Sequence, residues 1–347
     1  MLNFNNKVPT DIKIGNKTVE KILIRNEVVW AKITSPFYIQ NTYEGQNTIS
    51  IKLTKAGSVS ESYYTTHFLY SKDGINWNNI NISTTATNIT LNQGERLYLI
   101  GDKGVLNYQS AQRYAYTTIK GNQSHTLGGN LSTLLDYTDT NVSLPARTFL
   151  YLFSGDTYLT SAADLILPST VSGGCYMHTF SGCTRLTTPP TLPATTLKPS
   201  CYQQMFSGCS SLNTAPVLSA TTLASNCYGF LFENCTSLTT PPVLPATTLA
   251  SECYYAMFSG CSSLTTAPVL SATTLVSGCY HYIFQNCSLI NSITTYANNI
   301  YDTTSTSCLT NWLSGVAATG TLHNLGSATY PTNSTSGIPT GWTEVHS

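Results

Sequence analysis

The second half of the chain repeats one pattern of apolar and polar positions every 26 residues. Cysteine marks two columns that lie eight residues apart, and tyrosine directly follows each cysteine of the first column. Ten of the eleven cysteines form these columns: Cys175, Cys201, Cys227, Cys253 and Cys279 in the first, and Cys183, Cys209, Cys235, Cys261 and Cys287 in the second. A fixed period in this range is typical of a solenoid, whose coils need neighbours to bury their apolar faces.

Inside one unit, the apolar spacing after the first cysteine is close to 3.6 and predicts a short helix with one buried stripe. In the unit that begins at Cys201, these positions are Tyr202, Met205, Phe206, Cys209 and Leu212. Pro216 forbids a longer helix, and Leu218, Ala220 and Leu223 lie among β-branched residues that favour an extended segment. Each coil is therefore predicted as a helical turn, a bend and a strand, with strands stacked about 4.8 Å apart in a parallel ladder.

The ends of the array depart from the repeat, as the capping coils of a solenoid do. Thr148 and Asp156 stand at the two cysteine positions of the first coil. The last coil begins at Cys308, and Val316 replaces its second cysteine. These limits predict a solenoid over residues 143–316 and a C-terminal cap over residues 317–347.

Residues 1–33 alternate apolar and polar positions, which predicts two or three strands joined by tight turns. The segment is too short to hold a core of its own, so a protein partner or self-association is expected. We predict an attachment segment whose apolar face is formed by Ile12, Ile14, Val19, Ile22, Ile24 and Trp30.

Residues 34–142 show short alternating segments separated by glycine-containing turns such as Lys72-Asp73-Gly74 and Asn92-Gln93-Gly94. Strands at this spacing predict an antiparallel, Ig-like β-sandwich. The stretch GNLSTLLDYT that follows has the pattern of a short helical lead-in to the first coil.

Charge is scarce, because only 9% of the residues are charged and the formal net charge is zero, against about 25% charged residues in ordinary domains. A nucleic-acid binder needs a basic face to displace counterions from phosphates, so that class is excluded. No apolar run reaches the length of about 18 residues that a membrane span needs. The N-terminus lacks the apolar core of a secretory signal, which indicates synthesis in a cytoplasm.

The cysteines are predicted to be free and buried. On a helix, positions eight apart would lie about 12 Å from each other, too far for a disulfide. Bridges between coils are sterically possible, but Val316 indicates that the second column accepts a plain apolar group. The spacing of cysteine and histidine also disfavours zinc.

The search for catalytic chemistry finds no candidate. The six histidines are scattered, no GxSxG motif occurs, and the only acids between Cys175 and Asn286 are Glu233 and Glu252. We therefore predict no enzymatic activity, no catalytic residue, no metal site and no cofactor.

The positions just after the repeated tyrosines vary from coil to coil, while the frame around them is constant. Such variation is what a recognition face would show, and neutral drift on a solvated surface would also produce it. The candidate recognition face consists of His178, Gln203, Gln204, Phe230, Tyr255, His281 and Tyr282.

The unit CYxxMFxGCxSLxxxPxLxATTL resembles the leucine-rich repeats of the BspA-like type, over residues 148–316. The segments VPTDIKIGNKTVEKILIRNEVVW, SKDGINW and GIPTGWTEV resemble modules of structural proteins from phages that infect gut Bacteroidales. The resemblance implies a protein of mixed α and β structure: a short N-terminal β unit, a β-sandwich and a leucine-rich-repeat solenoid. It also implies an exposed recognition surface without identifying a ligand.

Together these observations lead to the hypothesis of a non-enzymatic phage virion protein of the fibre or decoration type. It would be made in the host cytoplasm, join other virion proteins through residues 1–33, and recognise a glycan or protein on the host surface. A homo-oligomer would supply multivalent contacts. The alternatives are a bacterial cell-surface adhesin, or a purely structural component of a capsid or tail.

Overall fold

The structure is a computed structural model, and it describes residues 12–14, 17–19, 21–24, 27–31, 35–56, 67–101, 107–110, 113–136, 144–301, 307–332 and 335–346. The chain divides into two compact units. The first contains Met1–Ser143 and Tyr158–Pro168, and the second contains Leu144–Thr157 and Ser169–Ser347. The segment 158–168 thus leaves the repeat array and belongs to the first unit.

The prediction of a mixed α and β fold is wrong, because the protein is mainly β. Strands account for about 30% of the chain and helix for about 1%. Among the described residues the helical structure is a short 3-10 helix, Leu131–Leu134, capped by the Asn130 side chain, which accepts a hydrogen bond from the Ser132 N–H. This helix lies in the predicted lead-in. The predicted helix of each repeat unit is not present.

The N-terminal segment forms two antiparallel strand pairs. Strand β1 (Ile12–Ile14) pairs with β2 (Lys17–Val19), and β3 (Lys21–Ile24) pairs with β4 (Glu27–Ala31). Only the backbone is described here, so the side chains of the predicted attachment face lie outside the described part of the structure.

The first unit contains two further sheets. Their strands are, in chain order, β5 (Phe37–Asn41), β6 (Asn47–Ala56), β7 (His67–Ser71), β8 (Asn78–Asn81), β9 (Thr87–Leu91), β10 (Arg96–Gly101), β11 (Asn107–Ser110), β12 (Arg113–Gly121), β13 (His125–Asn130) and β14 (Leu159–Ile166). One sheet has the order β14-β13-β5-β10-β7-β8, and the other has the order β11-β12-β6-β9. All pairs are antiparallel except β13–β14, which is parallel.

Alternating burial along the strands of the first unit places one side of each sheet in a core. Phe37 and Ile39 are buried on β5, and Ile49 and Ile51 on β6. The turn predicted at Lys72-Asp73-Gly74 joins β7 to β8. There the Asp73 carboxylate accepts hydrogen bonds from the backbone N–H groups of Ile75 and Asn76, which hold its pKa well below the usual range.

The second unit is built from overlapping β-turns where the sequence predicts helix. Counting the first cysteine of each of the five units from Cys175 to Cys279 as position 1, each odd N–H from position 1 to position 9 donates to the carbonyl three residues earlier. Each even N–H donates to the following coil. In one coil, for example, Met205 N donates to Tyr202 O, while Phe206 N donates to Leu231 O. Every second peptide group therefore joins neighbouring coils.

The turns have a period of four residues. Ser200, Gln204 and Gly208 all have positive φ, and the equivalent residues of the other coils up to the one that begins at Cys279 repeat this. Positive φ at the third residue of a hydrogen-bonded turn is characteristic of type II turns. Burial follows the same period, since positions 1, 2, 5, 6 and 9 face inward. Over nine residues this pattern looks like an α-helical stripe, which is why the helix prediction failed.

The other half of each coil is extended. From Pro216 to Ala220 buried and exposed residues alternate, as predicted for a strand, but pairing between coils is limited to single bridges such as Leu192–Leu218 and Thr214–Thr240. Prolines at 241, 242 and 245 lack the N–H that a continuous ladder needs. A parallel sheet forms only at the C-terminal end of the array, where β15 (Ser292–Thr295), β16 (Gly320–Asn324) and β17 (Trp342–Val345) pair in that order.

Columns of identical side chains fill the space between the turn segments and the extended segments. The tyrosines at position 2 stack with centroid separations of 5.5–5.9 Å, and the phenylalanines at position 6 stack at 5.3–5.9 Å. The hydroxyls of Tyr176 and Tyr254 are buried and make no hydrogen bond.

The structure holds all eleven cysteines as buried free thiols. Those of the second column are more than small apolar groups, because each donates its S–H to the carbonyl of a phenylalanine in the preceding coil. Cys209 Sγ lies 3.2 Å from Phe180 O, and Cys261 Sγ lies 3.0 Å from Phe232 O.

We predict that none of these thiols reacts with a disulfide reagent in the native protein near pH 8. Burial raises the pKa of Cys201, Cys253 and Cys287 to about 12. The reactive thiolate is therefore nearly absent near pH 8. After unfolding in guanidinium without reductant, all eleven cysteines should react. Rapid labelling of the native protein, or a lower count after unfolding, would contradict the free, buried column.

Position 8 alternates between glycine and asparagine in the middle of the array. Gly208, Asn234, Gly260 and Asn286 all have positive φ, which these two residue types tolerate best. A Cβ added at Gly260 would overlap Asn234 Oδ1, whereas one at Gly208 would lie 3.6 Å from Gly182 Cα, an ordinary contact.

We therefore predict that Gly260→Ala lowers the free energy of unfolding more than Gly208→Ala. Gly208→Ala should cost about 1 kcal/mol from its left-handed backbone, and Gly260→Ala should cost up to about 1 kcal/mol more, because the Asn234 side chain must rotate away from the added Cβ. Adding Asn234→Gly should remove the excess, as measured by denaturant unfolding. Equal losses for the two single variants would show that the coils are spaced differently.

Candidate functional site

Positions 3 and 4 of each coil lie between the inward-facing pairs of the turn segment, which spans positions 1–9. We call the surface that they form the turn face; it comprises Met177, His178, Gln203, Gln204, Gly229, Phe230, Tyr255, Ala256, His281 and Tyr282, of which Gly229 and Ala256 are themselves buried. All seven residues of the predicted recognition face lie on it, and all are half-buried. Position 4 carries the positive φ of the turn in every coil, whatever its side chain.

Four of the predicted residues form an aromatic cluster across three consecutive coils. The ring of Tyr255 lies 5.0 Å from Phe230, 5.4 Å from Tyr282 and 5.9 Å from His281, measured between centroids. The rings are tilted at 46–56° to Tyr255, unlike the parallel rings of the buried columns. Gly229 and Ala256 occupy the remaining positions of two of these coils, so small residues leave room for the large ones.

His178 lies apart from this cluster and stacks on Tyr151, with a centroid separation of 4.6 Å and an interplanar angle of 16°. Burial lowers the pKa of His178, which favours the neutral imidazole. The sequence prediction missed Tyr151 because its coil lacks both cysteines. Tyr151 stands four residues before Gly155, as His178 stands four before Gly182, and this spacing could have identified it.

Gln203 and Gln204 occupy the coil between the two aromatic groups. The structure therefore divides the predicted face into an aromatic pair, a coil that carries amides, and the larger aromatic cluster.

Hydrogen bonds hold two polar side chains, His281 and Glu252, at the cluster. His281 Nε2 lies 2.7 Å from Ser307 O, and Asn226 Nδ2 donates to Glu252 Oε2 at 3.4 Å. Burial, with the neighbouring Tyr282 and Glu252, raises the pKa of Tyr255, so its hydroxyl remains protonated at neutral pH. The rings therefore present apolar faces with hydroxyl, imidazole and carboxylate groups beside them.

The backbone beneath the turn face is fully engaged. Gln204 N donates to Gly229 O, Phe230 N to Tyr255 O, and Tyr255 N to Glu252 O. A ligand on this face has no peptide N–H to pair with in this part of the turn segment, so the hydrogen-bond donors that it meets are side chains.

The surface is almost uncharged. Between Cys175 and Tyr301 the charged residues are Arg185, Lys198, Glu233 and Glu252. Lys198 precedes the coil that begins at Cys201, so the coils that carry the aromatic cluster contribute carboxylates and no lysine or arginine.

A second exposed apolar surface lies on the extended half of the coils. Val217, Val243 and Val269 are 77%, 79% and 51% exposed and occupy the same position of successive coils. Beside them, a shallow groove of about 440 Å³ runs between residues 240–245 and 266–271. This valine row has neither hydrogen-bonding side chains nor aromatic rings.

Within the described residues, no three histidine, cysteine or acidic side chains lie close enough together to hold a metal ion. In the same part of the chain, no helix has the length and apolarity to cross a membrane. The arrangement on the turn face can bind a ligand by stacking and hydrogen bonding, and it offers no pairing of a nucleophile with a base.

Comparison of this chain with family models, with curated proteins and with solved structures finds no match.

Proposed function

We propose that the protein is a non-enzymatic recognition protein whose turn face contacts a ligand on a host cell. The observation that carries the proposal is the aromatic cluster of Phe230, Tyr255, His281 and Tyr282, half-exposed on a stacked frame. Exposed tyrosine clusters favour binding because each ring supplies a large contact area and loses little side-chain entropy.

The rigidity of the frame supports this proposal. In the turn segment, the backbone of every second residue is hydrogen-bonded to a neighbouring coil. The buried rings are stacked beneath the turn face. The binding groups are therefore held in place before a ligand arrives, which reduces the entropy cost of binding.

The setting of a phage particle is part of the proposal and rests on the sequence resemblance to structural proteins of Bacteroidales phages. In that setting the N-terminal strand pairs would attach the chain to other virion proteins. A homo-oligomer would present several turn faces at once, so weak single contacts would add up to firm attachment.

The test compares two triple variants, one on the turn face and one on the extended half, in sets of three coils that share two coils. Phe230→Ser, Tyr255→Ser and Tyr282→Ser remove the aromatic cluster, while Val217→Ser, Val243→Ser and Val269→Ser remove the valine row. We expect particles with the first set to lose adsorption to Bacteroidales host cells at least about tenfold, and particles with the second set to adsorb normally. Adsorption is measured by counting unbound particles after mixing with cells.

Thermal unfolding of the purified chains establishes that both variants fold, and the single Tyr255→Ser variant replaces the first set if it does not. Unchanged adsorption after loss of the cluster would refute recognition by the turn face. Failed assembly with a folded chain would favour the structural role. Presence of the chain in the bacterial envelope, and not in particles, would favour the adhesin.

A further inference from the structure

We propose that the aromatic cluster is a binding site for an uncharged glycan, with a sugar ring packed on the faces of Tyr255 and Tyr282. This inference rests on the proposed function, because it assigns a ligand class to the same turn face. The four observations that carry it concern ring geometry, backbone engagement, charge and the neighbouring hydrogen-bonding groups.

The geometry of the rings suits a saturated sugar. The aromatic rings of the cluster are tilted against one another and half-exposed, so part of each ring surface faces solvent. The electron-rich face of an aromatic ring attracts the slightly positive C–H groups that line one side of a pyranose. The exposed parts of two adjacent rings can together contact one side of a puckered sugar ring.

The engaged backbone disfavours an extended peptide. Peptides that add to a protein surface as a strand need free N–H and C=O groups along an edge. On the turn face these groups are paired within the coil or with the next coil, as for Phe230 N with Tyr255 O and Tyr282 N with Thr310 O. A glycan needs no backbone partner, because its hydroxyls bond to side chains.

The charge of the surface disfavours anionic ligands. Phosphates, sulfates and uronic acids are usually held by arginine or lysine, and the coils of the cluster carry none. Glu252, beside Tyr255, would repel an anion. The same carboxylate suits a neutral sugar, because Asn226 engages Oε2 and leaves Oε1 to accept from a sugar hydroxyl.

The amides of Gln203 and Gln204 continue the surface away from the rings. They are half-exposed on the coil next to the one that carries Phe230. Each offers donors and an acceptor to hydroxyl groups, so a chain of several sugars could extend from the aromatic cluster toward the Tyr151–His178 pair.

The experiment uses the purified full chain and surface polysaccharide from a Bacteroidales strain whose cells bind it. The polysaccharide is separated by anion exchange into neutral and acidic fractions, and binding is measured by titration calorimetry. We expect the neutral fraction to bind and Tyr255→Ala to weaken binding about tenfold or more. Tyr296→Ala removes a tyrosine that is 39% exposed on the extended half, and it should leave binding unchanged.

Cell binding is measured before and after treatment of the cells with periodate or protease. This comparison tests the glycan assignment separately from the proposed recognition function. Loss of cell binding after periodate oxidation of sugars, with resistance to protease, supports the glycan. Binding that survives periodate but not protease, or that resides in the acidic fraction, overturns the glycan assignment and leaves recognition in place. Failure to bind cells of any strain in a broad Bacteroidales panel overturns both. Phe230→Ala gives a second test if Tyr255→Ala does not fold.

Discussion

The alternation of backbone hydrogen bonds in the turn segment determines the rest of the solenoid. Odd positions close turns within their own coil, and even positions donate to the next coil, as Met205 and Phe206 do. A coil without a neighbour would leave half of these groups unpaired, which is costly in a buried setting. The coils must therefore stack in register, and equal side chains must lie directly above one another. The tyrosine, phenylalanine and thiol columns follow from that register.

The same alternation explains why so many non-glycine residues adopt positive φ. A turn of this kind needs a left-handed residue every four positions, and each such residue other than glycine costs of the order of 1 kcal/mol. The cost is spread over the array and is offset by stacked rings and by hydrogen bonds between coils. The positive φ of His178, Phe230 and Tyr282 therefore belongs to the frame, since Ala256 shares it, and it is not in itself a sign of function.

Much of the second unit could be predicted from the sequence, because its period, its columns and its buried cysteines depend only on which residues recur. The local conformation could not be predicted. Pairs of inward-facing residues that repeat every four positions match, over nine residues, the buried stripe of an α-helix with 3.6 residues per turn. The glycine and asparagine at Gly208 and Asn234 were the available signal for left-handed turns. The contacts among Phe230, Tyr255 and Tyr282 were hidden as well, since they join different positions of different coils. Tyr151 was missed because its coil lacks both of the cysteines that mark the other coils.

On the turn face, backbone hydrogen bonds maintain the fold and side chains are available for binding. This separation bears on how such a surface could acquire a ligand. On the turn face the backbone bonds are the same whether the residue is Gln204, Phe230 or Ala256, so the fold places few demands on the side chain there. The inward positions, in contrast, are filled by stacked rings that tolerate little change in volume. Substitutions at positions 3 and 4 can therefore alter what is bound at small cost to stability. A repeat that fixes its frame by hydrogen bonds between coils thus leaves the exposed side chains at positions 3 and 4 available for recognition, and the Phe230–Tyr255–Tyr282 cluster occupies such positions.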